Sequence, residues 1–127
     1  MDESSLKKWM IPRLRRISYT YPPRNEAKKK QKVSPATFEC EHCGVWIYEG
    51  FSVDNMAAIA LEHPDKEVIM GKSKMDHIEP VIDVFDGFID MGEYVKRMFC
   101  SEEGFQLICE SCHFFKTEWE NHIRKNP

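Results

Sequence analysis

The chain has 127 residues, 42% of them hydrophobic, and a formal net charge of −3; this length suits one small domain and not two. No stretch reaches the roughly 18–20 apolar residues of a membrane span. The N-terminal MDESSLKKWMIPRLRR is charged and broken by Pro12 where a signal peptide would be apolar, so the expected location is a reducing cytoplasm, with no membrane partner.

Charge is unevenly spread. Residues 1–39 hold ten Lys/Arg against four Asp/Glu, a balance of +6, and residues 40–127 carry −9. The chain therefore reads as a basic N-terminal arm over 1–37 followed by a domain over 38–127. The arm mixes Trp9, Tyr19 and Tyr21 with Arg13, Arg15, Arg16 and Arg24, and Lys28, Lys29 and Lys30 follow. Arginines bind phosphates and aromatic rings stack on bases. A solvated tail is the plainer reading of the charge run, and the aromatics could equally dock the arm on the domain.

In chain order, residues 4–18 suit a short helix interrupted by Pro12. The segment YPPR reads as extended, NEAKKKQKV as a basic helix, and SPAT as its end. FECEHCGVWIYEG predicts a strand, a Cys-x-x-Cys turn with Gly44 at the tight position, and a second strand. Residues 51–67 contain a short helix ended by His63-Pro64. VIMGKSKMDHIEPV predicts strand, turn and strand, with Pro80 as the stop. DVFDGFIDM reads as a loop, GEYVKRMFC as a helical turn or two, and GFQLICESC as a strand entering a second knuckle. HFFKTEWENHIRK is predicted to be a helix with Phe114, Phe115, Trp119 and Ile123 on one buried side.

Two Cys-x-x-Cys pairs, Cys40/Cys43 and Cys109/Cys112, make a four-thiolate set suited to tetrahedral zinc. Disulfides or unpaired thiols are the alternative. The pairs are 65 residues apart, so a shared metal would tie the start of the domain to its end. Such a site has no open position and serves structure. Cys100 reads as a small buried residue at a helix end, His42 as a surface residue, and His113 as spare for another role. Asp76-His77 alone could be a structural hydrogen bond.

Taken together, the first knuckle, Asp-His-Ile-x-Pro and Cys-x-x-Cys-His-x-x-Lys-Thr resemble the HNH endonucleases (His-Me finger, ββα-metal), over about residues 38–121. The segments DHIEPV, MFC and GFQLICESCHFFKT look much like those of small phage-encoded members. The resemblance implies an α+β fold: a ββα-metal core, a β-hairpin followed by a helix, stapled here by four-cysteine zinc. It implies His77 as general base and Asp76 and His113 as ligands of a catalytic Mg2+ or Mn2+. Lys116 would contact phosphate, and DNA would be the substrate. Phage packaging or replication proteins are the further partners it suggests. One departure stands out: nine residues before His113, where the family has asparagine, this chain has Gly104. Glu102, Glu103 and Gln106 are the local candidates for a substitute. The readings carried forward are a metal-dependent DNA endonuclease, a non-catalytic zinc module of the same fold that binds nucleic acid or a protein partner, and a zinc ribbon in which Asp76 and His77 only steady a turn.

Overall fold

Asp2 caps the first helix by accepting the Ser5 amide at 2.7 Å. In the computed structural model, which describes residues 2–125, that helix, α1 (Glu3–Ser18), runs through Pro12 without a break. The expected interruption does not occur. Proline removes the partner of the Lys8 carbonyl, but Lys8 is exposed and water can reach it. The next helix, α2 (Pro22–Lys30), begins on the two prolines expected to be extended. Proline fits a first helical turn, whose amides have no helical partner.

Among the described residues, six strands form two sheets. Strands β1 (Lys32–Ser34), β2 (Thr37–Glu39) and β3 (Trp46–Tyr48) are antiparallel, and β4 (Val68–Met70) joins β3 in parallel. The connection between β3 and β4 is α3 (Val53–Glu62), capped by Ser52 and stopped at His63 before Pro64. The segment 51–67 is thus a crossover helix, which parallel pairing requires. Its Met56 and Ile59 pack on Trp46, Tyr48 and Val68.

The second sheet corrects the expected hairpin. Strand β5 (Ser73–His77) does not pair with β4, although only two residues separate them. It pairs antiparallel with β6 (Phe105–Cys109), placing Asp76 opposite Gln106 and His77 opposite Phe105. Between β5 and β6 lie the 78–90 loop, helix α4 (Met91–Met98) and a short 3-10 turn at Glu102–Gly104. Burial explains the choice of partner. Every residue of β6 is buried, so β6 needs a neighbour that covers it, whereas β4 exposes Ile69 and Met70 at an edge.

The last described element is α5 (Glu110–Lys125), which follows β6 directly. Cys112 therefore sits in the first turn of the helix, which begins at Glu110 and leaves no separate knuckle between strand and helix. The buried side of α5 also differs from expectation. Phe114, Phe115 and Trp119 are 59%, 69% and 59% exposed, while Cys112, His113, Lys116, Glu120 and Ile123 face inward. The inward stripe has the helical period, but most of its members are polar.

Residues before 38 are built into the fold. The expected boundary between residues 37 and 38 falls inside β2, and β1 before it pairs with β2. The Tyr21 hydroxyl donates to the Phe99 carbonyl at 3.0 Å, and its ring meets Phe99 edge-on at 5.1 Å. Gln31 links the two sheets. Its amide nitrogen donates to Glu39 O and Leu107 O at 2.8 and 2.9 Å, and its oxygen accepts the Leu107 amide at 2.8 Å. Among the described residues, no helix is long and apolar enough to cross a membrane. Replacing Gln31 with Leu leaves the buried Leu107 amide without its partner, while the Leu107 carbonyl keeps the Glu41 amide; the expected cost is about 1–3 kcal/mol, read as a lower urea midpoint.

Candidate metal centre and adjoining cleft

The Cys40–Cys43 loop turns at Gly44, whose φ of +78° lies in the left-handed region that glycine enters without strain. This brings Cys40 and Cys43 against the junction of β6 and α5. All four sulfurs lie within 4.8 Å of one another. Cys43 Sγ and Cys109 Sγ are 3.8 Å apart, close to the edge of a tetrahedron with roughly 2.3 Å metal–sulfur arms. The four cysteines are free thiols, and the donor set suits a structural metal such as zinc.

Backbone amides prepare the set for anionic sulfur. Burial pushes the Cys40 thiol up, but amides of Cys43, Cys109 and His42 outweigh it and bring it to about 6. Burial holds the Cys43 and Cys112 thiols above their ordinary value, so a bound cation is what would ionise all four. Cys40 and Cys109 belong to the core cluster with Val45, Ile47, Leu107 and Ile108, so a metal here would anchor the packed centre. Cys100 stands apart, half-buried after α4.

Asp76 and His77 end β5 and point to opposite faces of the two-stranded sheet. His77 turns toward α4, where Nε2 lies 2.9 Å from the Met98 carbonyl. A carbonyl only accepts, so Nε2 carries the proton and Nδ1 keeps its lone pair. The Phe105 ring packs 4.8 Å away. Burial, together with the positive Arg24 and Lys116, holds His77 below the ordinary histidine value, though the Met98 bond opposes this. Asp76 faces α5, where Lys116 Nζ sits 2.6 Å from Oδ2. The same ammonium reaches Glu120 at 2.8 Å and donates to the His77 carbonyl at 3.0 Å.

These groups line an open cleft of about 460 Å³, edged by Arg15 of α1 and Arg124 of α5. Tyr94 forms part of its wall, with a buried hydroxyl that has no hydrogen-bond partner. The structure brings Asp76, His77, Lys116 and Arg15 together. His113 lies one turn before Lys116 on the inward stripe of α5 and does not line the cleft. Among the described residues, the only set of three or more His, Cys, Asp or Glu that closes to metal-ligand distance is the four cysteines. Glu120, Arg124 and Tyr94 were not singled out in sequence. The one available signal was Glu120, four residues after Lys116.

The other basic residues are mostly engaged. Lys28 pairs with Glu49, Lys29 with Glu26 and Lys30 with Glu102. Arg24 donates to the Met75 carbonyl at 3.3 Å beneath the Tyr19 ring. Arg13 stacks on Trp9 at 4.1 Å, and Arg16 is exposed on α1.

His42 is exposed, as expected of a surface residue, but it has a partner: Nε2 meets Gln106 Oε1 at 3.0 Å. Gly104 accepts the Ile78 amide on its carbonyl at 2.9 Å, and a Cβ there would collide with Cys100 Sγ. A side chain at the position where asparagine was expected would therefore have to displace the Cys100 side chain. Glu102 is held by Lys30. Comparison with family models, with curated proteins and with solved structures found no match for this chain.

Two outcomes are expected. Metal analysis of purified protein should find about one tightly held ion per chain, and a chelator or Cys109→Ser should collapse the near-ultraviolet circular dichroism; full folding without metal contradicts the assignment. Gly104→Asn should lower stability by about 1–3 kcal/mol through overpacking, with partial recovery in a Cys100→Ala background; an unchanged urea midpoint would show that the space exists.

Proposed function

We propose that this chain is a metal-dependent endonuclease of the HNH type that hydrolyses phosphodiester bonds in DNA, with a structural zinc on Cys40, Cys43, Cys109 and Cys112. The observation that carries the reading is His77. Its Nε2 is fixed by the Met98 carbonyl, which leaves the lone pair on Nδ1, and His77 lines the same arginine-edged cleft as Asp76 and Lys116. A neutral, oriented imidazole is the group a hydrolytic reaction needs to take a proton from water. The Met98 carbonyl supplies the orientation that a motif asparagine would otherwise supply, so Gly104 does not by itself count against activity.

The resemblance assigns the ion to Asp76, at the end of β5, and to His113, on α5 outside the cleft that Asp76 lines. Two protein donors with water completing the shell suit Mg2+ or Mn2+, provided Lys116 withdraws from Asp76. Such an ion, when bound, supplies Lewis-acid stabilisation of charge on the phosphate and the leaving oxygen. His77 takes the proton of the attacking water, the Met98 carbonyl holds the ring, and Arg15 and Arg124 attract the phosphate backbone. Contacts of this kind position DNA without reading its sequence.

The alternative is a non-catalytic zinc module that binds nucleic acid or a packaging or replication protein. Lys116 favours it, since its ammonium already balances Asp76. The two readings separate in one assay. The nuclease reading expects supercoiled plasmid to be nicked with Mg2+ or Mn2+, EDTA to stop the reaction, and His77→Ala to slow it about 100-fold or more. Intact plasmid across several divalent metals selects the non-catalytic module. The nuclease reading, and the alternative in its nucleic-acid-binding form, expect the Arg13, Arg15, Arg16→Ala triple variant to bind duplex DNA more weakly and with a shallower dependence on salt; unchanged binding would remove α1 from the interface.

A further inference from the structure

Gln106 is the one polar residue of FQLIC, and it is 5% exposed in a strand buried along its whole length. A leucine there would extend the core at no cost in desolvation, whereas a buried amide must find partners. Gln106 finds two. Nε2 donates to Asp76 Oδ2 over a long 3.5 Å, and Oε1 faces His42 Nε2 at 3.0 Å. The orientation follows from chemistry. An ionised carboxylate only accepts, so the NH2 end must face Asp76, the carbonyl end must face His42, and His42 must donate from Nε2. His42 lies between Cys40 and Cys43, and its backbone amide donates to Cys40.

We infer that Gln106 is a positioning residue for Asp76, held by His42, so that the four-cysteine loop sets the orientation of the cleft carboxylate through one buried amide. The proposal rests on the nuclease reading for its catalytic consequence but not for its structural content. Asp76 is gripped from two sides: Lys116 of α5 balances its charge, and Gln106 of β6 sets its direction. Lysine is flexible and can withdraw, while a buried amide on a strand buried along its whole length stays in place.

The test uses full-length, zinc-loaded protein: wild type, Gln106→Leu, His42→Ala and the double variant. The carboxyl 13C resonance of Asp76 and the side-chain amide of Gln106 are followed by NMR, and plasmid cleavage and duplex affinity are measured in parallel. Wild type should show a Gln106 amide slow to exchange and a His42 Nε2 carrying a proton. Gln106→Leu should move the Asp76 resonance and lower the cleavage rate about 10-fold or more at unchanged duplex affinity. His42→Ala should do the same to a smaller degree, and the double variant should be no worse than Gln106→Leu alone, as for residues acting in one chain. An unmoved Asp76 resonance in both single variants overturns the proposal, as does an unchanged cleavage rate in Gln106→Leu when wild type cuts. If wild type does not cut, the nuclease reading fails separately, and the Asp76 resonance still decides whether the link exists. If Gln106→Leu does not fold, the Asp76 resonance in His42→Ala and the wild-type amide exchange decide between a link and none.

Discussion

Closure of the four cysteines is the constraint on which the rest depends. It joins a loop near residue 40 to the strand–helix junction near residue 110, across 65 residues of intervening chain. Bringing such distant segments together costs chain entropy, and few apolar groups are available to offset it in so small a domain. Ionised sulfurs in a shared metal site would offset it with binding energy that exists only in the folded state. Because Cys109 ends β6 and Cys112 lies in the first turn of α5, the same closure fixes where the helix starts and which way it points.

Strand β6 is the hub of the remaining packing. It pairs with β5, receives the Gln31 link from the other sheet, and carries Gln106 toward Asp76. Leu107 and Ile108 are fully buried, and the strand is also held by the side-chain amides of Gln31 and Gln106. Enclosed glutamine amides are costly unless both ends are satisfied, and in Gln31 and Gln106 both are.

Helix α5 inverts the usual division of faces. Phe114, Phe115 and Trp119 lie outside and Lys116 and Glu120 inside, because the inner stripe faces a cleft and a carboxylate, not a core. Lys116 is stable there since all three of its hydrogens have acceptors: Asp76, Glu120 and the His77 carbonyl. An apolar stripe read from spacing alone assumes that the nearer neighbour is a core, and that assumption fails beside a polar site.

Much was legible from local rules. The Cys-x-x-Cys turn with Gly44, the strands flanking it, the helix stopped at His63-Pro64 and the four-thiolate set all follow from residue type and spacing, which local sterics and ligand chemistry determine. Other features were not local. β5 chose β6 over the adjacent β4 because covering a strand buried at every residue outweighs proximity in sequence. Pro12 and the Pro22-Pro23 pair were absorbed into helices because exposure in one case, and a first turn in the other, removed the penalty. Whether a charged or an aromatic face of α5 turned inward, whether His77 met a carbonyl, and whether His42 reached Gln106 depended on what lay opposite. The sequence by itself determined which residues could bind a metal or turn the chain; only the tertiary structure decided which side chains meet, because partners from distant segments are chosen by burial and by the need of every enclosed polar group for a partner.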